Sequence, residues 1–185
     1  RLPNKVNLDL GGKPVIQWVV DAAKRIKGVD NVQVLWARNY PELDENDVLG
    51  RFYQAWKEEG RPSAVMRLTG DCPLLDPKVC ELVLDAYNDH DVTYASNIYP
   101  KRTFPDGLDC EVFSGGLLER AWRVAWRVAQ GNEREHVTPW MQTHGVITNV
   151  TLPIDWSHVR LTLDTPRALA WLRPVVGYHQ SKENP

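Results

Sequence analysis

Cysteine is scarce in this chain: Cys72, Cys80 and Cys110 are the only three in 185 residues. An odd count without a close pair builds neither a disulfide framework nor a zinc site, so all three are expected as reduced, partly buried thiols. A basic excess is also missing. With 22 Lys and Arg against 24 Asp and Glu, the formal net charge is -2, which removes the electrostatic footprint of a nucleic-acid binder and leaves a small phosphorylated ligand open. No apolar run approaches the roughly 20 residues that span a bilayer, and Arg1-Leu2-Pro3-Asn4-Lys5 builds no signal-peptide core. The expectation is a soluble, cytoplasmic protein without a membrane partner. At 43% hydrophobic and 25% charged residues, the chain can bury a core, and its length suits a single domain over residues 1–185.

Apolar residues recur at helical spacing after Pro14, from Val15 to Ile26, and again from Val48 to Trp56, where Asp47 is a good N-cap and Gly60 a stop. Asp76 and Pro77 open a third helix, and Leu117 to Ala129, Glu133 to Gln142 and a segment with Leu169 and Leu172 read as further ones. Strands are expected at Val32–Trp36, Ala64–Leu68, Val92–Ala95, Leu108–Phe113, Val146–Leu152 and Val159–Leu163. This alternation predicts an α/β fold with a mostly parallel sheet and helices on both faces. A tandem stretch, Ala121 to Ala129, sets Trp122 and Trp126 one turn apart on a helix face, beside Arg123 and Arg127; a packed helix with a solvated cationic edge accounts for it, a partner-binding surface being the other reading.

In such sheets ligands bind beyond the carboxyl ends of the strands, where two acids, Asp71 and Asp164, stand; three groups of residues along the chain can carry chemistry. Arg1 and Lys5 bracket a Leu-Pro turn and can present two cations to phosphates, although ordinary surface charge explains them as well. Asp71 and Asp164 each follow an expected strand and precede a proline-containing turn; on one rim they would suit Mg²⁺, which takes carboxylates together with substrate phosphates, the other reading being turn formers or caps. Asn97, the run Asp106-Gly107-Leu108-Asp109-Cys110-Glu111, and Arg134-Glu135-His136 are dense enough in polar groups to read sugar hydroxyls and a carboxylate. Capping of Asp106, an ion pair of Glu135 with Arg134 and a satisfied structural role for His136 are the alternatives.

Seven stretches together resemble one family: Arg1-Leu2-Pro3 with Lys5, Leu10-Gly11-Gly12-Lys13-Pro14, Asp47-Val48-Leu49-Gly50-Arg51, Leu68-Thr69-Gly70-Asp71-Cys72-Pro73-Leu74, Phe104 to Asp109, Arg134 to Pro139, and Arg160-Leu161-Thr162-Leu163-Asp164-Thr165-Pro166. The family is that of the cytidylyltransferases that activate acidic sugars, in particular the branch of the spore coat polysaccharide biosynthesis protein F. The resemblance implies a three-layer α/β/α, Rossmann-like fold of the nucleotide-diphospho-sugar transferase type. It implies transfer of CMP from CTP to a sugar, an acidic one first, with release of pyrophosphate, in surface polysaccharide biosynthesis. By that likeness Lys5, Asp71 and Asp164 are catalytic, and Asp71 and Asp164 hold Mg²⁺. Arg1, Lys5, Arg51 and Gly70 lie on the nucleotide, and Asn97, Asp106, Asp109, Glu111, Arg134 and His136 on the sugar. Because relatives commonly dimerise, a homodimer is a further expectation.

The sequence departs from the pattern at several points. Relatives carry a strand and a phosphate-binding loop ahead of the position of Arg1, and more residues between Trp36 and Asp47; Asn4 stands where glycine is usual, and Arg167-Ala168 where an acidic pair is usual. The expectation is therefore a chain that starts inside the phosphate loop. Two other readings stay open beside the enzyme: a non-catalytic nucleotide- or sugar-binding remnant, and a nucleotidyltransferase of different nucleotide specificity.

Overall fold

A four-stranded sheet carries the architecture. In the computed structural model, which describes residues 2–89, 91–128 and 132–183, with side chains for 2–89, 91–125 and 134–177, its strands are β3 (Ala64–Arg67), β4 (Tyr94–Ser96), β5 (Glu111–Ser114) and β6 (Ile147–Asn149); β1 (Asp9–Leu10) and β2 (Lys13–Pro14) form a small separate hairpin. The order is β3-β5-β4-β6. β5 runs against β3 and β4, while β6 is parallel to β4. Three of the four strands thus point the same way, as the alternation of elements predicts, with one reversed strand between them.

Strand side chains alternate between faces, and each face collects its own helices. Ala95 and Val112 meet α1 (Val15–Ala23) and α3 (Pro77–Asp89) through Val19, Ala22, Ala23, Cys80 and Val83. Tyr94 and Phe113 meet α2 (Val48–Glu58), α4 (Gly115–Val128) and α6 (Pro139–His144) through Leu49, Tyr53, Trp56, Leu117, Leu118 and Met141. A third cluster of Leu10, Val15, Leu163, Leu172 and Val176 ties α7 (Pro166–Glu183) to the β1–β2 hairpin. The layers are helix, sheet, helix. All three cysteines are buried and unpaired. No helix among the described residues is long and apolar enough to cross a membrane.

Local signals place several boundaries. The Asp47 carboxylate accepts the Gly50 N–H at 2.9 Å, which satisfies one of the donors a helix start leaves open. Gly60, at φ +76°, takes the left-handed conformation that ends the α2 turn. Trp122 stacks on Tyr53 with centroids 4.0 Å apart, so this half of the tandem is packing; the Trp126 side chain lies outside the described residues.

Three expected elements differ. Residues 32–36 join no ladder among the described residues; the Trp36 N–H turns back to the Val34 carbonyl, and Asn31 and Gln33 side chains bond Glu59 at the end of α2. Val159–Leu163 keeps a single parallel bridge, Asp106 to Arg160, because its backbone is shared between two loops: Leu161 N–H donates to Asp106 O and Leu163 N–H to Asp71 O. The helix expected over Glu133–Gln142 splits into α5 (Asn132–His136) and α6. The break falls at Val137, which sits at φ +72°, and Pro139, without an N–H to donate back into the preceding turn, opens α6 at its first turn.

Candidate functional site

Lys5 opens the short helical turn Lys5–Asn7, reached through Asn4 at φ +52°, ψ +29°. Asparagine is among the few residues other than glycine that tolerate this left-handed backbone. The turn packs closely on the loop after β3: a Cβ on Gly70 would lie 3.0 Å from Ile16 Cδ1 and 3.5 Å from Val6 Cγ1. That close approach delivers Asp71 to Lys5. The Leu163 N–H bonds the Asp71 carbonyl at 2.9 Å and the Leu2 N–H bonds the Asp164 carbonyl at 3.1 Å, so backbone laces all three segments together.

The side chains then converge. Lys5 Nζ donates to Asp71 Oδ2 and, at 2.6 Å, to Asp164 Oδ1, joining residues 66 and 159 positions away in the chain. The other Asp164 oxygen accepts from Arg160 Nη2 and, at 2.9 Å, from Thr162 Oγ1. Burial pulls the Lys5 pKa down, but the hydrogen bonds to Asp164 and Asp71 outweigh it and the net shift is upward. Asp164 is held well below the usual carboxylate range, first by the Lys5 hydrogen bond, against burial, with Thr162 and Arg160 adding to it. Two hard carboxylates facing one ammonium form a place that holds positive charge.

Charges continue along the rim. Arg102 grips both Asp109 oxygens, at 2.7 Å for the Nη2–Oδ2 bond, and Asp106 stands 3.9 Å from Arg102 Nη1 and 3.5 Å from Arg160 Nε. Burial and the Asp109 charge raise the Asp106 pKa, against Arg102 and Arg160. Between the two acids Gly107 is required: it sits at φ +114°, and a Cβ would come within 2.9 Å of the Leu161 carbonyl carbon.

The remaining expected residues scatter. Asn97 is fully buried and its carboxamide is spent on backbone, donating to Leu108 O at 2.6 Å and accepting from Cys110 N–H at 2.9 Å; it shapes the Asp106–Asp109 loop and turns no free group outward. Glu111 is 1% exposed, held by Arg67 and Tyr94, so it too faces the interior. Arg134 reaches the α2 cap, Asp47 Oδ2, at 3.0 Å, and His136 is exposed next to it. Arg51 is buried, donates from Nη1 to the Glu45 carbonyl at 2.8 Å, and leaves Nε without a partner. Arg1 lies outside the described residues. Sequence reasoning missed Arg67, Arg102 and Arg160. Arg67 carried a readable signal, a charge in an otherwise apolar strand, which requires a buried partner.

A divalent cation would find two carboxylates here. Asp71 and Asp164 already share one cation in Lys5, oxygen donors suit Mg²⁺, and no group of three His, Cys, Asp or Glu side chains spaced to hold a metal occurs among the described residues.

Comparison with known proteins points the same way. Residues 1–35 match the cytidylyltransferase family model. The spore coat polysaccharide biosynthesis protein SpsF of Bacillus subtilis is 29% identical over 148 residues, 76% of this chain and 57% of that protein. A 3-deoxy-manno-octulosonate cytidylyltransferase of Anaeromyxobacter sp. (strain K) is 36% identical over 100 residues, 46% of this chain and 41% of that one. The chain therefore spans little more than half the length of one relative and less than half of the other. A solved cytidylyltransferase from Leptospira borgpetersenii superposes with a TM-score of 0.76 and 25% identity, over 98% of this chain and 90% of that one. The chain is similar to cytidylyltransferases in sequence, and its fold is the Rossmann-like three-layer fold of nucleotidyltransferases.

Proposed function

We propose that the chain carries a cytidylyltransferase site that moves CMP from CTP to a hydroxyl of a sugar, an acidic sugar first, in the building of a surface polysaccharide. The observation that carries this reading is the convergence of Lys5, Asp71 and Asp164 at one rim. In the reaction the sugar oxygen bonds to the α-phosphorus, the bond to the pyrophosphate oxygen breaks, and the hydroxyl gives up its proton. Such transfers depend on positioning and on neutralising charge at the leaving oxygens.

The residues suit that task. Lys5 keeps its proton because Asp164 and Asp71 hold it, so an ammonium is present for phosphate oxygens. Asp164 stays ionised through neutral pH. Asp71 and Asp164 would hold Mg²⁺, which when bound neutralises charge on the departing pyrophosphate. Arg160, anchored on Asp164 and 64% exposed, adds a cation at the mouth of the same group.

The test is pyrophosphate release by purified protein with CTP, Mg²⁺ and a panel of acidic sugars, run beside calorimetric CTP binding. Turnover that disappears with Asp71→Asn or Asp164→Asn is the expected result. Turnover that survives both substitutions refutes the roles given to these carboxylates, and CTP binding without turnover for any sugar refutes the enzyme.

A further inference from the structure

The end of β3 carries a further cation, Arg67, on the face of the strand opposite Lys5. Arg67 is the last residue of β3, four positions before Asp71, and shares a strand face with Val65, which packs beside Tyr94 and Phe113. Lys5 and Asp164 approach instead from the segments that lead into α1 and α7. The two cations therefore flank the end of β3 from different sides.

Arg67 is held from below. Its Nη1 donates to Glu111 Oε2 at 2.5 Å across the β3–β5 register. The other Glu111 oxygen accepts from the Tyr94 hydroxyl at 2.6 Å and from Gln142 Nε2 at 3.4 Å. Glu111 is thus a fixed acceptor bonded through both oxygens and 1% exposed. Burial and the neighbouring Glu111 charge push the Tyr94 hydroxyl far up, so it remains a donor. The guanidinium above is not used up. Among the described residues Glu111 is its bonded partner, the Arg67 side chain is 17% exposed, and neither Nε nor Nη2 is a buried atom lacking a partner. A planar fork with one edge anchored on a buried carboxylate and other N–H groups open to the surface is built to take a second planar oxyanion.

The geometry points to Arg67 as the residue that reads the carboxylate of the sugar, with Glu111 as the positioning residue that aims it. This inference rests on the transfer proposed above. In-line displacement sets the attacking and leaving oxygens on opposite sides of the phosphorus. If the leaving phosphates belong to the Lys5 side, the acceptor sugar belongs to the side of Arg67. The Lys5 group takes phosphate and metal; the Arg67 fork takes the carboxylate that separates an acidic sugar from a neutral one.

The experiment measures selectivity. Wild type, Arg67→Met, Arg67→Lys and Glu111→Gln are assayed with CTP against 3-deoxy-manno-octulosonate, N-acetylneuraminate and glucuronate, each beside its carboxamide. Thermal unfolding establishes that every variant compared is folded. The expected result is a wild-type preference for acid over amide that falls roughly 10- to 100-fold in Arg67→Met, the worth of a charge-assisted hydrogen bond. Arg67→Lys, which keeps charge without the fork, falls in between, and Glu111→Gln raises the sugar KM while the CTP KM stays within about twofold. A wild type indifferent to the carboxylate overturns the inference, as does an Arg67→Met protein whose preference is intact. So does an Arg67→Met protein with a raised CTP KM and an unchanged sugar KM, because the fork then serves phosphate. If wild type releases no pyrophosphate with any sugar, the parent reading fails, and calorimetry with the same acid and amide pairs decides this one separately: a preference lost in Arg67→Met supports it, and no preference overturns it.

Discussion

Around Lys5 and around Glu111 the protein sets a cation against a carboxylate, in surroundings that differ. The side chains of Lys5, Asp71 and Asp164 are 21 to 26% exposed, and further charges at Arg160, Asp106, Arg102 and Asp109 stand beside them. Glu111 is 1% exposed and bonded by Arg67, Tyr94 and Gln142. Near the surface, water and mobile ions screen a pair and its partners can be exchanged. In the interior, removing one partner strands the other charge in a medium that solvates it poorly. The rim is therefore where a phosphate or a metal can replace an existing contact, and the interior is where a side chain is held still.

The comparison can be broken from either end. The largest effect is expected at the rim and on activity alone: Asp71→Asn or Asp164→Asn lowers CTP-dependent pyrophosphate release by about 10³-fold, while the melting temperature moves by no more than about 4 °C. Initial rates and thermal unfolding on the same samples check this, and a large drop in stability would show that the rim is a structural brace. At the interior Glu111→Ala should cost about 3 kcal/mol of stability in urea unfolding, because Arg67 loses its anion and Tyr94 its acceptor; a cost below about 1 kcal/mol would erase the distinction between the two regions.

Asp47 lies between the extremes, buried yet serving both as the α2 cap and as the partner of Arg134. Asp47→Ala is expected to cost about 1 to 2 kcal/mol, read as a lower urea midpoint with an unchanged slope. The smallest effect sharpens the rim side. Burial and Asp109 raise the folded pKa of Asp106 above its unfolded value, so the folded state binds this proton more tightly and loses stability as pH rises through that pKa. Asp106→Asn should raise the melting temperature slightly at pH 7 and leave it unchanged at pH 3, where the wild-type carboxyl is protonated in both states; a lower melting temperature at pH 7 would mean that the Arg102 and Arg160 contacts outweigh burial.

Helix boundaries were legible because their causes are local. Asp47 caps α2 within its own first turn, Pro77 opens α3, and Gly60 stops α2 at a positive φ that its type permits. Strands were legible only where a neighbour exists. Val32 to Trp36 has the composition of a strand, yet the ladder that would make it one is absent among the described residues. Among site residues, polarity near a motif did not tell a surface group from an interior one: Asp106 and Asp109 stand at the rim, while Asn97 and Glu111, candidates of the same polar group, are turned inward.

What the sequence by itself determined is what a few neighbouring residues decide among themselves: the periods of the helices, their caps and stops, the two-faced strands around Tyr94 and Phe113, and the left-handed turn before Lys5. Which charge meets which was decided only by the tertiary structure. Lys5 bridges acids 66 and 159 residues away, and Arg67 finds Glu111 across 44 residues and a strand ladder. Capping and periodicity act within one or two turns of chain, whereas a pairing over such distances exists once packing of apolar faces has set the strands in register.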